Sequence, residues 1–373
     1  MSTLPHLLAT SADDSAIVVA IVAARLLVPL LIPRIPLVIV VALVLDAADQ
    51  TILAAFTEVD TGEGGPYQSY DKALDIYYLT IAYLSTIRNW TSEPALRVGQ
   101  FLFFYRLVGT ALFELTQERA LLLIFPNTFE YYFIAYELIR LRRDPAQFPA
   151  RVWLLVAAGL WIFVKLPQEY WIHIAQRDFT DTVREYPAFG VAVVLGVLAV
   201  LGVLWFVVRP RMPAPDWSWQ FRADPIPTPP ELTRERLTHR LNRRFLSLEL
   251  FEEVTLLSLL CVIFSQIIPR VDTTPSQVTV GVVAIVMANT LVSLWSARRG
   301  GVGLDRYAVV FAARLALNFG FVFLASALPR GGTSFSIGDG LFFAYLITLV
   351  LVLYDLYRPL HIARFRRSAG AND

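Results

Sequence analysis

The chain has 373 residues, a formal net charge of +1, 56% hydrophobic residues and a mean hydropathy of +0.55, values outside the range of a soluble globular domain. The near-balanced charge gives no reason to expect nucleic acid as a partner. The single cysteine, Cys261, excludes an intrachain disulfide and a paired-cysteine metal site.

These numbers point to an all-α fold, a polytopic transmembrane helical bundle in which the lipid bilayer is the main partner. No Lys or Arg occurs in the first fourteen residues, so the first apolar stretch is expected to remain as a helix rather than be removed as a signal. At about 20 apolar residues per crossing and about 1.5 Å per residue, the chain divides into about 11 spans. In order they are 15–32, 35–56, 69–87, 97–117, 120–140, 151–176, 187–208, 247–269, 276–296, 305–328 and 336–357. Turns at Pro33 and Pro36, at Gly65 and Pro66, and at Gly331 and Gly332 separate them.

Loop charges set the orientation. With the N-terminus outside and the C-terminus cytoplasmic, every strongly basic loop is cytoplasmic at once. These are Arg140 to Arg151, Arg209 to Arg244, Arg298 to Arg306 and the tail from Arg358 to Arg367. The loop with Glu58, Asp60 and Glu63 carries no basic residue and falls outside. The longest cytoplasmic loop begins with Pro210, Pro213, Pro215, Pro225, Pro227, Pro229 and Pro230. It then sets Leu237, Leu241, Phe245 and Leu248 at helical spacing opposite Arg236, Arg240, Arg243 and Arg244. It reads as a semi-rigid linker followed by an amphipathic helix on an anionic leaflet, with a plain basic linker as the alternative. Three parts result: a seven-helix bundle over 1–209, the linker over 210–246, and a four-helix bundle over 247–373.

Ionisable residues inside a span cost several kcal/mol each unless paired or hydrated, so they mark interiors and sites. In chain order the seven-helix part offers Asp46, Asp49 and Gln50; Asp71, Lys72, Asp75 and Tyr78; Arg106, Thr110 and Glu114; Asn127, Glu130 and Glu137; and Lys165, Gln168, Glu169, His173 and Gln176. Steps of three or four residues put the main members of each helix on one face. Counting down from the outer ends places Asp46, Arg106, Glu130 and Lys165 about 15 Å deep, a layer of two acids and two bases. Asp49, Asp75, Asn127 and Glu169 fall about 10 Å deep, with Asp71, Lys72, Glu114 and His173 nearer the surface. The expectation is an outward-facing acidic polar cavity, closed at the midplane by charge pairs, for which a cation, metal or proton supplies the counter-charge. Pro126 and Pro167 are expected to kink the fifth and sixth helices.

The four-helix part offers Arg314, with Asn289, Asn318 and Asp339 as candidate partners. Its small residues Gly281, Ala284, Ala288 and Ser293 make it the candidate surface for a homo-oligomer. Asn89, Trp90 and Thr91 match a glycosylation acceptor, but on the cytoplasmic side of this topology.

Asp46 and Asp49, followed across a loop by Asp71 and Asp75, resemble the paired-aspartate motif of CDP-alcohol phosphotransferases, DxxDGxxAR then GxxxDxxxD. That resemblance implies carboxylates holding divalent metal and a nucleotide diphosphate. The chain departs from the motif at Gln50, Leu53, Ala54 and Tyr67, where the family has Gly, Ala, Arg and Gly, and its site opens to the opposite side. The stretch Tyr67 to Tyr78 and the runs LLLIFPNTFEYY and KLPQEYWIHIAQ resemble an uncharacterised bacterial family of multi-pass integral membrane proteins. This implies a bacterial inner (plasma) membrane location and supplies no activity.

No dinucleotide glycine pattern, P-loop, GxSxG or HExxH occurs. Three classes stay open: a metal-assisted enzyme acting on a lipid-linked or envelope substrate, a cation- or proton-coupled transporter, and a structural or assembly protein. The candidate acid/base and charge-stabilising residues are Asp46, Asp49, Asp75, Glu130, Lys165 and Arg106. The candidate ligands of a divalent metal are Asp49, Asp71, Asp75, Glu169 and His173, and the alternative ligand is a cationic small molecule.

Overall fold

A computed structural model describes residues 12–57, 66–175, 179–223, 248–267, 274–298, 307–327 and 337–370. The acidic loop at Glu58 to Glu63, the expected amphipathic helix over Leu237 to Phe245 and the side chain of His173 lie outside the described residues.

Every regular element among the described residues is helical. Helix α1 (Ala12–Leu27) runs through a 3₁₀ turn (Val28–Leu31) into the Pro33 to Pro36 turn and returns as α2 (Val38–Phe56). Helix α3 (Pro66–Asn89) is followed by α4 (Glu93–Thr116), whose start is capped by the Ser92 hydroxyl accepting from the Ala95 amide at 3.5 Å. Gln117 ends α4 in the left-handed conformation, at φ 59°.

The span expected at 120–140 is broken. Helix α5 (Ala120–Ile124) stops, Phe125, Pro126 and Asn127 are non-helical, and α6 (Thr128–Arg140) starts anew. Helix α7 is continuous over 150–174 but carries π turns at Trp161–Lys165 and Tyr170–Ile174, one on each side of Leu166–Glu169. Pro167 sits in that short segment, and the wider turns let the helix pass a residue that cannot donate a backbone hydrogen bond. Helix α8 (Phe179–Glu185) leads to α9 (Pro187–Val203), prolonged by a π turn (Leu204–Val208) and a 3₁₀ turn (Arg209–Arg211). The remaining helices are α10 (Leu248–Ile267), α11 (Pro275–Arg298), α12 (Tyr307–Ala327) and α13 (Ile337–Gly370).

Six helices among the described residues are long and apolar enough to cross a membrane: Glu93–Thr116, Ala150–Glu169, Pro187–Arg211, Leu248–Ile267, Pro275–Val292 and Gly340–Ile362. Shorter apolar helices cover Ala16–Leu31 and Val310–Leu324. Helix α3, which carries Asp71, Lys72, Asp75 and Arg88, is not among them, because charge placed inside a bundle lowers the apolar character of a helix.

Helix α3 is the centre of the packing. From Ile76 to Ile87 its residues are buried without a break, against α1, α2, α4, α10 and α13. One apolar cluster therefore runs through both the early and the late helices. Its aromatic middle includes Tyr83 stacked on Phe103 at 4.4 Å and Trp90 stacked on Tyr136 at 3.9 Å.

One end of this bundle gathers the short loops. Arg88 and Asn89 both donate to the Pro33 carbonyl, Asn89 at 3.1 Å. Arg364 donates to the Trp90 carbonyl at 3.1 Å. The segment after α9 lies across the same end, where the Asp216 and Gln220 amides donate to the Arg142 and Leu141 carbonyls at 3.0 and 2.9 Å, and the Ala223 amide to the Arg34 carbonyl at 2.8 Å. The first half of the expected linker is thus bound to the bundle.

Candidate functional site

The acidic group forms where α1, α2 and α3 meet. Asp46 and Asp49 are three residues apart on α2, and Asp71 and Asp75 four apart on α3, so each pair lies on one helix face. Both faces turn to the last turn of α1, where Arg25 is buried with its side chain 2% exposed. All four aspartates pair with this one guanidinium. Nη1 contacts Asp49 and Asp71, the latter at 2.6 Å, and Nη2 contacts Asp46 and Asp75, the latter at 2.8 Å. Asp49 is as buried as Arg25, while Asp46, Asp71 and Asp75 are partly exposed. A guanidinium has five N–H donors in a rigid plane and can serve several carboxylates at once.

The charges do not balance. Four carboxylates and one guanidinium carry a formal −3 when all are ionised, and oxygens of Asp46, Asp71 and Asp75 lie within 4.8 Å of one another. Like charges at that spacing repel, and protons or a further cation would relieve the surplus that Arg25 leaves.

A second polar network adjoins the first. Tyr78, three residues beyond Asp75, donates to Glu130 Oε1 at 2.6 Å, and Asn127 Nδ2 donates to Glu130 Oε2 at 3.1 Å. The Asn127 backbone amide donates to Glu169 Oε1 at 3.3 Å. Lys165 donates to Gln168 Oε1 at 3.1 Å, lies 3.8 Å from the Glu169 carboxylate and stands 4.6 Å over the Tyr131 ring. This network is built on the helix break, because Asn127 and Glu130 flank the start of α6 and the freed carbonyls of α5 are taken up from α4. Tyr105 donates to the Ile124 carbonyl at 3.0 Å and Arg106 to the Phe125 carbonyl at 3.1 Å.

The geometry revises the expected pairing. Asp46 pairs with Arg25 rather than with Arg106 or Lys165, and the hydrogen bond of Arg106 goes to a backbone carbonyl. Lys72 turns toward α4, 3.9 Å from Glu114 and 4.1 Å over the Phe113 ring. Of the candidate metal ligands, Asp49, Asp71 and Asp75 share the Arg25 cluster, whereas Glu169 belongs to the Lys165 network. Arg314, expected beside Asn289, Asn318 or Asp339, pairs with Asp355 at 2.7 Å. Asn289 and Asn318 instead form a chain with Thr348 at 2.6 and 2.9 Å. Arg25 was missed although the same rule finds it, as the one basic residue between Ala12 and Leu31.

Six long apolar helices, together with this acidic group, point to a multi-pass helical membrane protein with a buried acidic cluster. No protein-family model, curated protein or solved structure matches the chain.

Proposed function

We propose that the protein is a proton- or cation-coupled transporter of the bacterial plasma membrane, with Asp46, Asp49, Asp71 and Asp75 as the coupling site and Arg25 as its tethered counter-charge. The convergence of four carboxylates on one guanidinium carries this reading. Protons or a cation entering from the side where Asp46, Asp71 and Asp75 are exposed compete with Arg25 for the carboxylates. Loading the site then loosens α1 from α2 and α3, so occupancy is tied to helix position. The broken α5–α6 segment and the π turns of α7 supply elements whose backbone can rearrange at low cost.

The test uses proteoliposomes loaded with a pH-sensitive dye and given inward gradients of Na⁺, K⁺, Mg²⁺ or Mn²⁺ in turn. Cation-driven proton movement that disappears in Asp75→Asn and persists in the exposed control Glu93→Gln is the expected result. Silence with all four ions sinks the transporter reading.

The closeness of the Asp46, Asp71 and Asp75 oxygens favours a second reading, a metal-assisted enzyme acting on a lipid-linked substrate. There these carboxylates would hold a divalent ion, while Lys165 and Arg106 neutralise an anionic group. Elemental analysis of the purified protein, read together with the proteoliposome assay, separates the two, because the enzyme reading requires a bound divalent ion without ion-driven proton movement. A stoichiometric divalent ion lost in Asp71→Asn favours the enzyme.

A further inference from the structure

The end of α9 presents a cleft that neither polar network uses. It has a volume of about 470 Å³ and lies between the π turn Leu204–Val208, the Arg209–Arg211 turn and the loop at Arg143. Its walls combine Trp205, Phe206 and Met212 with Arg143 and Arg209. Trp205 and Phe206 are exposed, and the Arg209 guanidinium lies 4.0 Å over the Trp205 ring. Arg143 is fixed by its Nε donating to the Pro213 carbonyl at 2.7 Å. Beside the cleft, Arg142 lies 5.2 Å over Trp219, which stacks on Phe221, and both of these rings are exposed.

We propose that this cleft binds the headgroup of an anionic phospholipid, with the acyl chains running along α9. Three observations identify the occupant. Helix α9 has no buried residue, so its apolar surface is continuous with the cleft and already faces lipid. Aromatic rings beside arginines at the end of such a helix sit at the depth of the phosphate layer, where an apolar body and a charged head are both solvated. The lining of the cleft is positive, because it includes Arg143 and Arg209 and no acidic side chain. Guanidinium groups match phosphate oxygens in pairs, and a net-negative headgroup is favoured over a zwitterionic one because the choline cation would meet the same arginines.

The experiment places the full-length protein in phosphatidylcholine vesicles doped with brominated phosphatidylglycerol or brominated phosphatidylcholine. Trp205 fluorescence is read as the difference between the protein and Trp205→Phe. Phosphatidylglycerol is expected to quench at a lower mole fraction, by about fivefold for each arginine involved. Arg143→Gln with Arg209→Gln should bring it to the phosphatidylcholine level, and Arg209→Gln alone, which spares the Pro213 contact, should give part of that loss. Equal quenching by both lipids, or a preference retained without the arginines, overturns the proposal. Reversal by inorganic phosphate would overturn it too, by identifying a soluble anion as the occupant.

Discussion

Arg25 holds the acidic cluster together, and its removal and that of its partners should have opposite consequences. Arg25→Met leaves four carboxylates facing one another with no counter-charge, and an orphaned buried charge costs about 3–5 kcal/mol. Asp71→Asn removes one of the surplus charges from the more exposed side and should change stability by less than ~1 kcal/mol. Melting both variants in one detergent at one pH checks this. Equal destabilisation would mean that all five residues form a purely structural lock, and the coupling site would fall. Four of the five were legible, since carboxylates on helical spacing in an apolar run mark an interior face. The fifth was marked by the same rule, as the one basic residue of the first apolar run, but nothing in that run reports which acids it meets. Only the fold shows that α1 turns Arg25 inward.

At the level of the elements, the break at Phe125 to Asn127 depends on how closely α4 approaches it. Gly109 of α4 faces Phe125 so tightly that an added methyl would overlap its Cβ. Gly109→Ala should therefore push α4 away, strain the Arg106 and Tyr105 contacts to the freed carbonyls and cost about 1–3 kcal/mol. Gly159→Ala, at a position with open space around it, should be neutral or slightly stabilising. Loss of stability in both, or in neither, would show that the close approach does not matter. Pro126 was visible in the sequence as a kink and proved to be an interruption. The difference lies in Tyr105 and Arg106, which satisfy the open carbonyls from another helix, and no local pattern reports that. The π turns around Pro167 were equally invisible to a 3.6-residue periodicity.

For the whole molecule, the loops at Pro33, at Trp90 and at Arg140, the segment over 213–223 and Arg364 are joined by hydrogen bonds and so share one end. Under the positive-inside rule, we propose that this arginine-rich end is the cytoplasmic one. Reporters fused after Arg143 and at the C-terminus should read cytoplasmic, and one at Gly64 external. Two reversed readings would turn the acidic cluster to the other face. The division into early and late bundles was drawn from the linker's composition. Contacts across it, such as Tyr83 donating to Glu252 while Arg358 lies 3.2 Å from the same carboxylate, are long-range and left no local signal.

Helix α9 bears on how tightly its own sequence is constrained. Between Val191 and Val203 no side chain is buried, and a Cβ added at Gly196 or Gly202 would meet nothing within 4 Å. Composition matters along that stretch and order does not, because lipid tails offer no shape for a side chain to match. Shuffling these thirteen residues among themselves, with Gly190 and the Trp205 to Arg211 end kept, should leave expression and melting temperature unchanged. The same shuffle applied to Ile76–Ile87 of α3 should abolish folding. One chain would then hold two helices of similar length that differ almost completely in the number of sequences able to replace them.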